Sequence, residues 1–224
     1  MNNPVIIGKA TLYQMDCMDL LKATPDKFYD LAIVDPPYGI DMDGGKIGVD
    51  GNAKAQVYLK KDWDKYAPDI NYFNELVRVS KNQIIWGANH FIANIPCPSS
   101  PCWIVWDKEK VGGFFADSEL AYTSFKTAVR NFKFQWHGMI QGDMKNKEQR
   151  IHPTQKPVKL YEWLLTNYAK QGDKILDTHL GSGSHAIACN NLGFELTACE
   201  LDKDYFDASV KRITSATAQI RMFA

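Results

Sequence analysis

A chain of 224 residues is long enough to bury a sizeable core without disulfide or metal staples. Its 45% apolar and 23% charged content is ordinary for a globular protein. Lysine plus arginine equals aspartate plus glutamate at 26 each, which excludes a whole-molecule cationic field, so any polyanion must meet a local patch. No run of about 18 apolar residues occurs, which excludes a membrane-spanning helix, and the start of the chain lacks the basic-then-apolar pattern of a signal peptide.

In chain order, Leu31 to Val34 is a short apolar run halted by Asp35-Pro36-Pro37, as expected of a buried strand. Residues 39–66 hold five of the fifteen glycines with mixed charge and read as a mobile loop; Lys60, Lys61 and Lys65 within it are candidates for phosphate contact. Apolar side chains at 70, 73, 76, 77 and 79 predict a helix, and 83–86, 103–106 and 120–125 read as strands. A helix follows over 158–169, then a turn at Gly172-Asp173 and the strand Lys174 to Asp177. A glycine turn at 181–183 opens a helix from Ser184 to about Asn191, capped by Gly193. Phe194 to Cys199 is the next strand, and Asp202 starts a closing helix. Strands alternating with helices predict one α/β domain with a mostly parallel sheet and helices on both faces.

Residues 126–152 carry Lys126, Arg130, Lys133, Lys145, Lys147 and Arg150, interleaved with Phe132, Phe134 and Trp136. Bases with aromatics suit phosphate contact and base stacking, so these cations and Trp136 are candidate DNA contacts; a solvated surface hairpin is the alternative. The five cysteines are scattered, and only Cys97 and Cys102 lie close together without further ligands at metal-site spacing, so reduced thiols and no metal are expected.

Two motifs carry chemistry. In Asp177-Thr-His-Leu-Gly-Ser-Gly-Ser184, glycines at a strand-to-helix turn let the backbone approach a ligand, and Glu200 at the end of the following strand suits paired ribose hydroxyls. Together they point to an adenosine-type cofactor, against a structural turn with an exposed Glu. In Asp35-Pro-Pro-Tyr38, two prolines remove two N–H donors and leave carbonyls pointing outward beside a carboxylate. That acceptor pair suits an exocyclic amine, and Tyr38 offers a ring for stacking; alone, the tripeptide would read as a rigid loop with a capping Asp.

Asp35-Pro-Pro-Tyr38 resembles the signature of amino-group DNA methyltransferases, and its place ahead of the cofactor turn resembles the circularly permuted beta class. Asp16-Cys-Met-Asp19, Trp106-Asp107-Lys108 and His152-Pro-Thr-Gln-Lys-Pro157 extend the likeness over residues 12–213. The resemblance implies a Rossmann-like fold, S-adenosylmethionine as cofactor and double-stranded DNA as substrate. It implies that Asp16 contacts the cofactor's adenine and that Thr154 and Lys156 lie near its methionine carboxylate. Asp177, Gly181, Ser182 and Gly183 would wrap the methionine portion, and Glu200 would hold the ribose. The family usually has Pro-Phe where this chain has Thr178-His179, so His179 is expected as a flat surface against the cofactor.

The implied reaction needs no covalent intermediate. Asp35 and the Pro36 carbonyl accept the amine's two hydrogens and free its lone pair to attack the sulfonium methyl; Tyr38 stacks on a base flipped from the duplex. Asp in the first motif position goes mostly with adenine N6 and Ser with cytosine N4, which favours adenine. Residues 108–152 would form a short target-recognition insertion, in a restriction-modification or phage setting within a bacterial cytoplasm. Protein-glutamine methylation would require Asn first and the opposite motif order. A nicotinamide enzyme would require a third glycine where Ala186 stands, and a DNA-binding regulator without catalysis would not need the intact motifs. Gln219 to Phe223 resembles a sliding-clamp docking peptide, with a helix end as the alternative. The sequence leaves a homodimer open.

Overall fold

The computed structural model describes residues 3–47, 56–110, 112, 116–137 and 140–221. The chain runs β1 (Val5–Ile7), β2 (Ala10–Gln14), α1 (Cys17–Ala23), β3 (Tyr29–Val34), β4 (Gly45–Ile47), β5 (Gln56–Tyr58), α2 (Ile70–Val79) and β6 (Ser80–Trp86). After two 3₁₀ turns, Ala88–His90 and Ile92–Asn94, come β7 (Trp103–Asp107), β8 (Ser118–Thr123), β9 (Arg130–Lys133), β10 (Trp136–His137) and β11 (Ile140–Gln141). The last third is α3 (Val158–Tyr168), β12 (Lys174–Asp177), α4 (Ser184–Leu192), β13 (Glu195–Glu200) and α5 (Lys203–Arg221).

Nine strands form one sheet in the order β1-β2-β13-β12-β3-β6-β8-β7-β9. The pairings from β2 to β6 are parallel, β8 runs antiparallel to both its neighbours, and β9 is parallel to β7. The alternation of side chains across a strand explains why β3 reads as an unbroken apolar run. Leu31 and Ile33 join a core with Leu160, Leu164, Ala186, Ile187, Phe206 and Ile213 from α3, α4 and α5. Ala32 and Val34 join another with Leu20, Leu21, Phe73 and Leu76 from α1 and α2. The sheet is thus mostly parallel with helices on both faces, as expected.

Caps fix the helix starts. Asp69 accepts the N–H groups of Asn71 and Tyr72 at 2.9 and 3.3 Å, and Asp202 those of Asp204 and Tyr205 at 2.9 and 3.1 Å. At Gly183 the φ of +75° sets the entry to α4, and a Cβ there would meet Ile213 Cδ1 at 2.7 Å.

Two expectations change here. The segment read as a mobile loop contributes the β4–β5 hairpin, and beside it Asp64 binds three backbone N–H groups: Tyr38 at 2.7 Å, Gly39 at 3.0 Å and Met42 at 2.7 Å. Within 108–152, the stretch expected as a recognition insertion, residues 118–123 and 130–133 supply β8 and β9 to the main sheet.

Candidate active site

The parallel strands end at a common edge, and the chemistry-bearing residues gather there. Asp35 follows β3, Gly87 follows β6, Lys108 follows β7, Asp177 closes β12, Glu200 closes β13, and Asp16 stands two residues past β2. Because β8 runs the other way, its start delivers Glu119 to the same edge, in register with Trp106. A cleft of about 2030 Å³ opens along this edge. Asp16, Asp35, Pro36, Tyr38, Glu119, Thr154, Lys156, His179, Gly181, Ser182 and Glu200 line it.

On its floor four charged side chains alternate. Lys156 Nζ, almost fully buried, donates to Asp35 Oδ2 at 2.6 Å and lies 3.1 Å from Glu119 Oε2. Lys108 Nζ lies 2.6 Å from Glu119 Oε1. The Tyr38 hydroxyl donates to Asp35 Oδ1 at 2.8 Å and is 3.4 Å from Glu119 Oε2. Burial raises the pKa of Asp35, with Lys156 opposing and Glu119 adding to the rise. Burial also pushes Glu119 up, but the ammonium groups of Lys156 and Lys108 more than reverse it, to about 2. Burial would lower Lys156, yet Asp35 and Glu119 hold it above its usual value. Alternating charge makes a buried cluster of this kind tolerable.

The Tyr38 ring stacks on His90 at 5.1 Å between centroids and 17° between planes. Gly87 makes room for it, since a Cβ there would fall on the Tyr38 ring, and its φ of +68° suits glycine.

The glycine turn forms the other end of the cleft. Glu200 accepts the N–H of Gly181 at 2.9 Å through Oε2 and that of Asp202 at 3.0 Å through Oε1, leaving each oxygen a further lone pair. Asp177 stands behind the turn, accepting from His179 N at 3.0 Å and pairing with His185 Nδ1 at 3.0 Å. A relay fixes His179 from below: Tyr72 Oη to Thr178 Oγ1 is 2.6 Å, and Thr178 Oγ1 to His179 Nδ1 is 2.9 Å. Burial lowers His179 to about 4, so its ring is neutral near pH 7. Asp16 caps α1 through the Met18 N–H at 2.8 Å. Next to it Cys17 lines the cleft with its thiol pushed up to about 12 by burial and by Asp16, which keeps it protonated and poorly nucleophilic.

Several expected roles meet a different geometry. Lys156, placed by the resemblance beside a methionine carboxylate, is engaged with Asp35 and Glu119, while Thr154 hydrogen-bonds His152 at 3.2 Å. Trp136 is 6% exposed, gives its indole N–H to Gln155 O at 2.8 Å and carries the Arg150 guanidinium 4.4 Å above its ring, so it is a core residue rather than a stacking platform. Phe132 and Phe134 are likewise packed against the core. Lys126 and Arg130 lie at the opposite end of the parallel strands, since Arg130 pairs with Ile104 near the start of β7. Lys133, opposite Asp107, is at the cleft edge, and Lys145 and Lys147 are exposed in the segment after β11. Lys61 is paired with Asp202 at 2.6 Å and Asp204 at 2.7 Å rather than free for phosphate. Gln219 to Phe223 lies outside the residues whose side chains are described.

Sequence reasoning missed Glu119, His90 and Asp64. A single acid in a strand or a loop has no periodic or motif signal, and only the fold shows that Glu119 faces Lys156.

A DNA methylase family model matches residues 104–211, the stretch that holds Glu119, Lys156, the glycine turn and Glu200. Type II methyltransferase M2.MboI of Moraxella bovis is 24% identical, with 94% of this chain and 89% of that protein covered. Type II methyltransferase M.HinfI of Haemophilus influenzae is 23% identical, covering 91% and 68%. These two alignments extend over nearly the whole chain. In sequence the chain is thus similar to DNA methylases. Solved structures share the fold: M1.HpyAVI in complex with SAM has a TM-score of 0.57 at 19% identity, covering 91% of this chain and 99% of that one. The cytosine-N4-specific PvuII DNA methyltransferase has a TM-score of 0.60 at 12% identity, covering 95% and 92%.

Proposed function

We propose that this protein moves a methyl group from S-adenosylmethionine to the N6 amino group of an adenine flipped out of double-stranded DNA. One observation carries the reading: the Asp35 carboxylate and the Gly181–Glu200 turn open into one cleft at one sheet edge. The residues fit the cofactor chemically. Glu200 keeps lone pairs for two ribose hydroxyls, neutral His179 and Ser182 border the turn, and Asp16 offers a carboxylate to an adenine amine. When bound, S-adenosylmethionine supplies an electrophilic methyl group.

Asp35 and the Pro36 carbonyl accept the amine's hydrogens, so the nitrogen lone pair is released toward that methyl. The Tyr38 ring supports the base, and extrusion from the duplex costs a few kcal/mol. Adenine is preferred to cytosine on the Asp at position 35, since Ser there accompanies cytosine N4 chemistry in the resembling enzymes.

Purified protein incubated with labelled S-adenosylmethionine and unmethylated genomic DNA should yield N6-methyladenine on nucleoside mass spectrometry; N4-methylcytosine would overturn the base assignment. Asp35→Ala should lose methyl transfer by a factor of about 10³ or more while cofactor affinity stays within twofold. Turnover retained by that variant would overturn the reaction itself.

A further inference from the structure

Each oxygen of Asp35 already accepts one donor. Tyr38 Oη donates to Oδ1 at 2.8 Å and Lys156 Nζ to Oδ2 at 2.6 Å. Each oxygen keeps a further lone pair, so a hydrogen of the target amine can be accepted, but it meets a carboxylate whose charge Lys156 and Tyr38 already share. The amine's bond strengthens as those two donors loosen from Asp35, and a buried ammonium or hydroxyl that gives up an acceptor without a replacement carries a cost. That cost would fall on the reaction unless a second acceptor stood within reach.

Glu119 stands within reach. Its Oε2 lies 3.1 Å from Lys156 Nζ and 3.4 Å from Tyr38 Oη, so either donor can turn to it by a small rotation. Lys108 holds the other oxygen at 2.6 Å, and the indole of Trp106 lies under the Lys108 ammonium at 5.1 Å. The carboxylate is thus fixed from behind, on a strand of the main sheet, and is aimed at the donors rather than at the Asp35 carboxylate.

We propose that Glu119 is a positioning residue for the transfer: it is the second seat toward which Lys156 and Tyr38 shift when a hydrogen of the target amine engages Asp35. This rests on the reading of Asp35 as acceptor of that amine. Glu119 itself does not touch the base or the cofactor; it acts through Lys156 and Tyr38. Its loss leaves Lys156 with Asp35 as its one carboxylate partner in the cluster, so the amine must compete with a permanent ion pair.

The test uses the full chain, S-adenosylmethionine and a genomic DNA free of prior methylation. Glu119→Ala and Glu119→Gln are compared with wild type in kcat, KM for DNA and cofactor affinity by calorimetry. The expected result is a fall in kcat of about tenfold to a hundredfold for alanine and a smaller fall for glutamine, which keeps an acceptor oxygen but not the charge, with cofactor affinity within twofold. Because Glu119 acts through Lys156, Glu119→Ala should cost at most about twofold more when added to Lys156→Ala. Wild-type kcat in the glutamine and alanine variants overturns the proposal, as does a full, additive loss in the Lys156→Ala background. Should alanine disturb folding, seen as lost cofactor binding, the volume-preserving glutamine variant decides between the same two outcomes. Failure here with Asp35→Ala still inactive removes the role of Glu119 alone; activity in Asp35→Ala removes the underlying reading instead.

Discussion

At Asp64 one carboxylate does the work of a whole turn. Its two oxygens take the N–H groups of Tyr38, Gly39 and Met42, so the backbone just after the two prolines is held although Pro36 and Pro37 have no N–H to contribute. Asp64→Ala strands three donors, and the expected cost is about 2–4 kcal/mol with a lower kcat, because Tyr38 loses the support that aims its hydroxyl at Asp35. Differential scanning calorimetry and steady-state rates check both parts; an unchanged melting temperature would contradict the anchoring role. Neither Asp64 nor Glu119 was legible from sequence, for a shared physical reason. An isolated acid is compatible with surface, cap or cluster alike, and only the partner brought from another element distinguishes them. Asp35 was legible because the prolines and Tyr38 beside it restrict the backbone and repeat a known pattern.

Elements were legible in proportion to how completely they are buried. β3, β12 and β13 lie inside the sheet and present apolar side chains to both faces, so their runs stand out. Half-buried edge strands do not: in β9 only Phe132 packs against the core while Arg130, Asn131 and Lys133 are exposed, a pattern read as a basic, aromatic nucleic-acid surface. The short β1–β2 hairpin escaped notice because three and five residues give too little periodicity. Between elements, the tie with most consequence is Arg212 on α5. It donates to Ser182 O at 2.8 Å and to Ser184 Oγ at 3.0 Å, and its other nitrogen reaches Glu148 Oε2 at 2.6 Å. Glu148 in turn accepts the first N–H of α3 from Val158 at 2.8 Å. The glycine turn is therefore clamped to the segment that follows β11. Arg212→Ala leaves Glu148 without its cation partner and frees the turn, so cofactor affinity should fall about tenfold, near 1.4 kcal/mol. Calorimetric titration measures this directly, and an affinity equal to wild type would show that the turn holds itself.

The whole molecule should be sensitive to acid in a definable range. His152 is buried against Trp63 and Tyr205, and burial, helped by Lys156, lowers it from an ordinary 6.5 to about 3; burial lowers His179 from 6.5 to about 4. Both rings bind protons more readily unfolded than folded. Their contribution is therefore complete above about pH 6.5 and drains away as pH falls toward 4 and then 3. Melting temperature should decline over that window, and His152→Gln should flatten the decline; a profile level from pH 7 to 4 would refute it. The sheet order has a further meaning for how the protein is made. β12 and β13 lie between β2 and β3, so the first strands to be synthesised are kept apart until residues 174–200 arrive to join them. Until then the growing chain holds two unfilled strand edges, and the corner that carries Asp35 has no neighbour on one side. Folding must close long loops before it gains its central pairings, a topology that slows it. The late strands complete the sheet beside Asp35 and bring the Glu200 turn to the same edge, so neither half of the cleft is finished before the other.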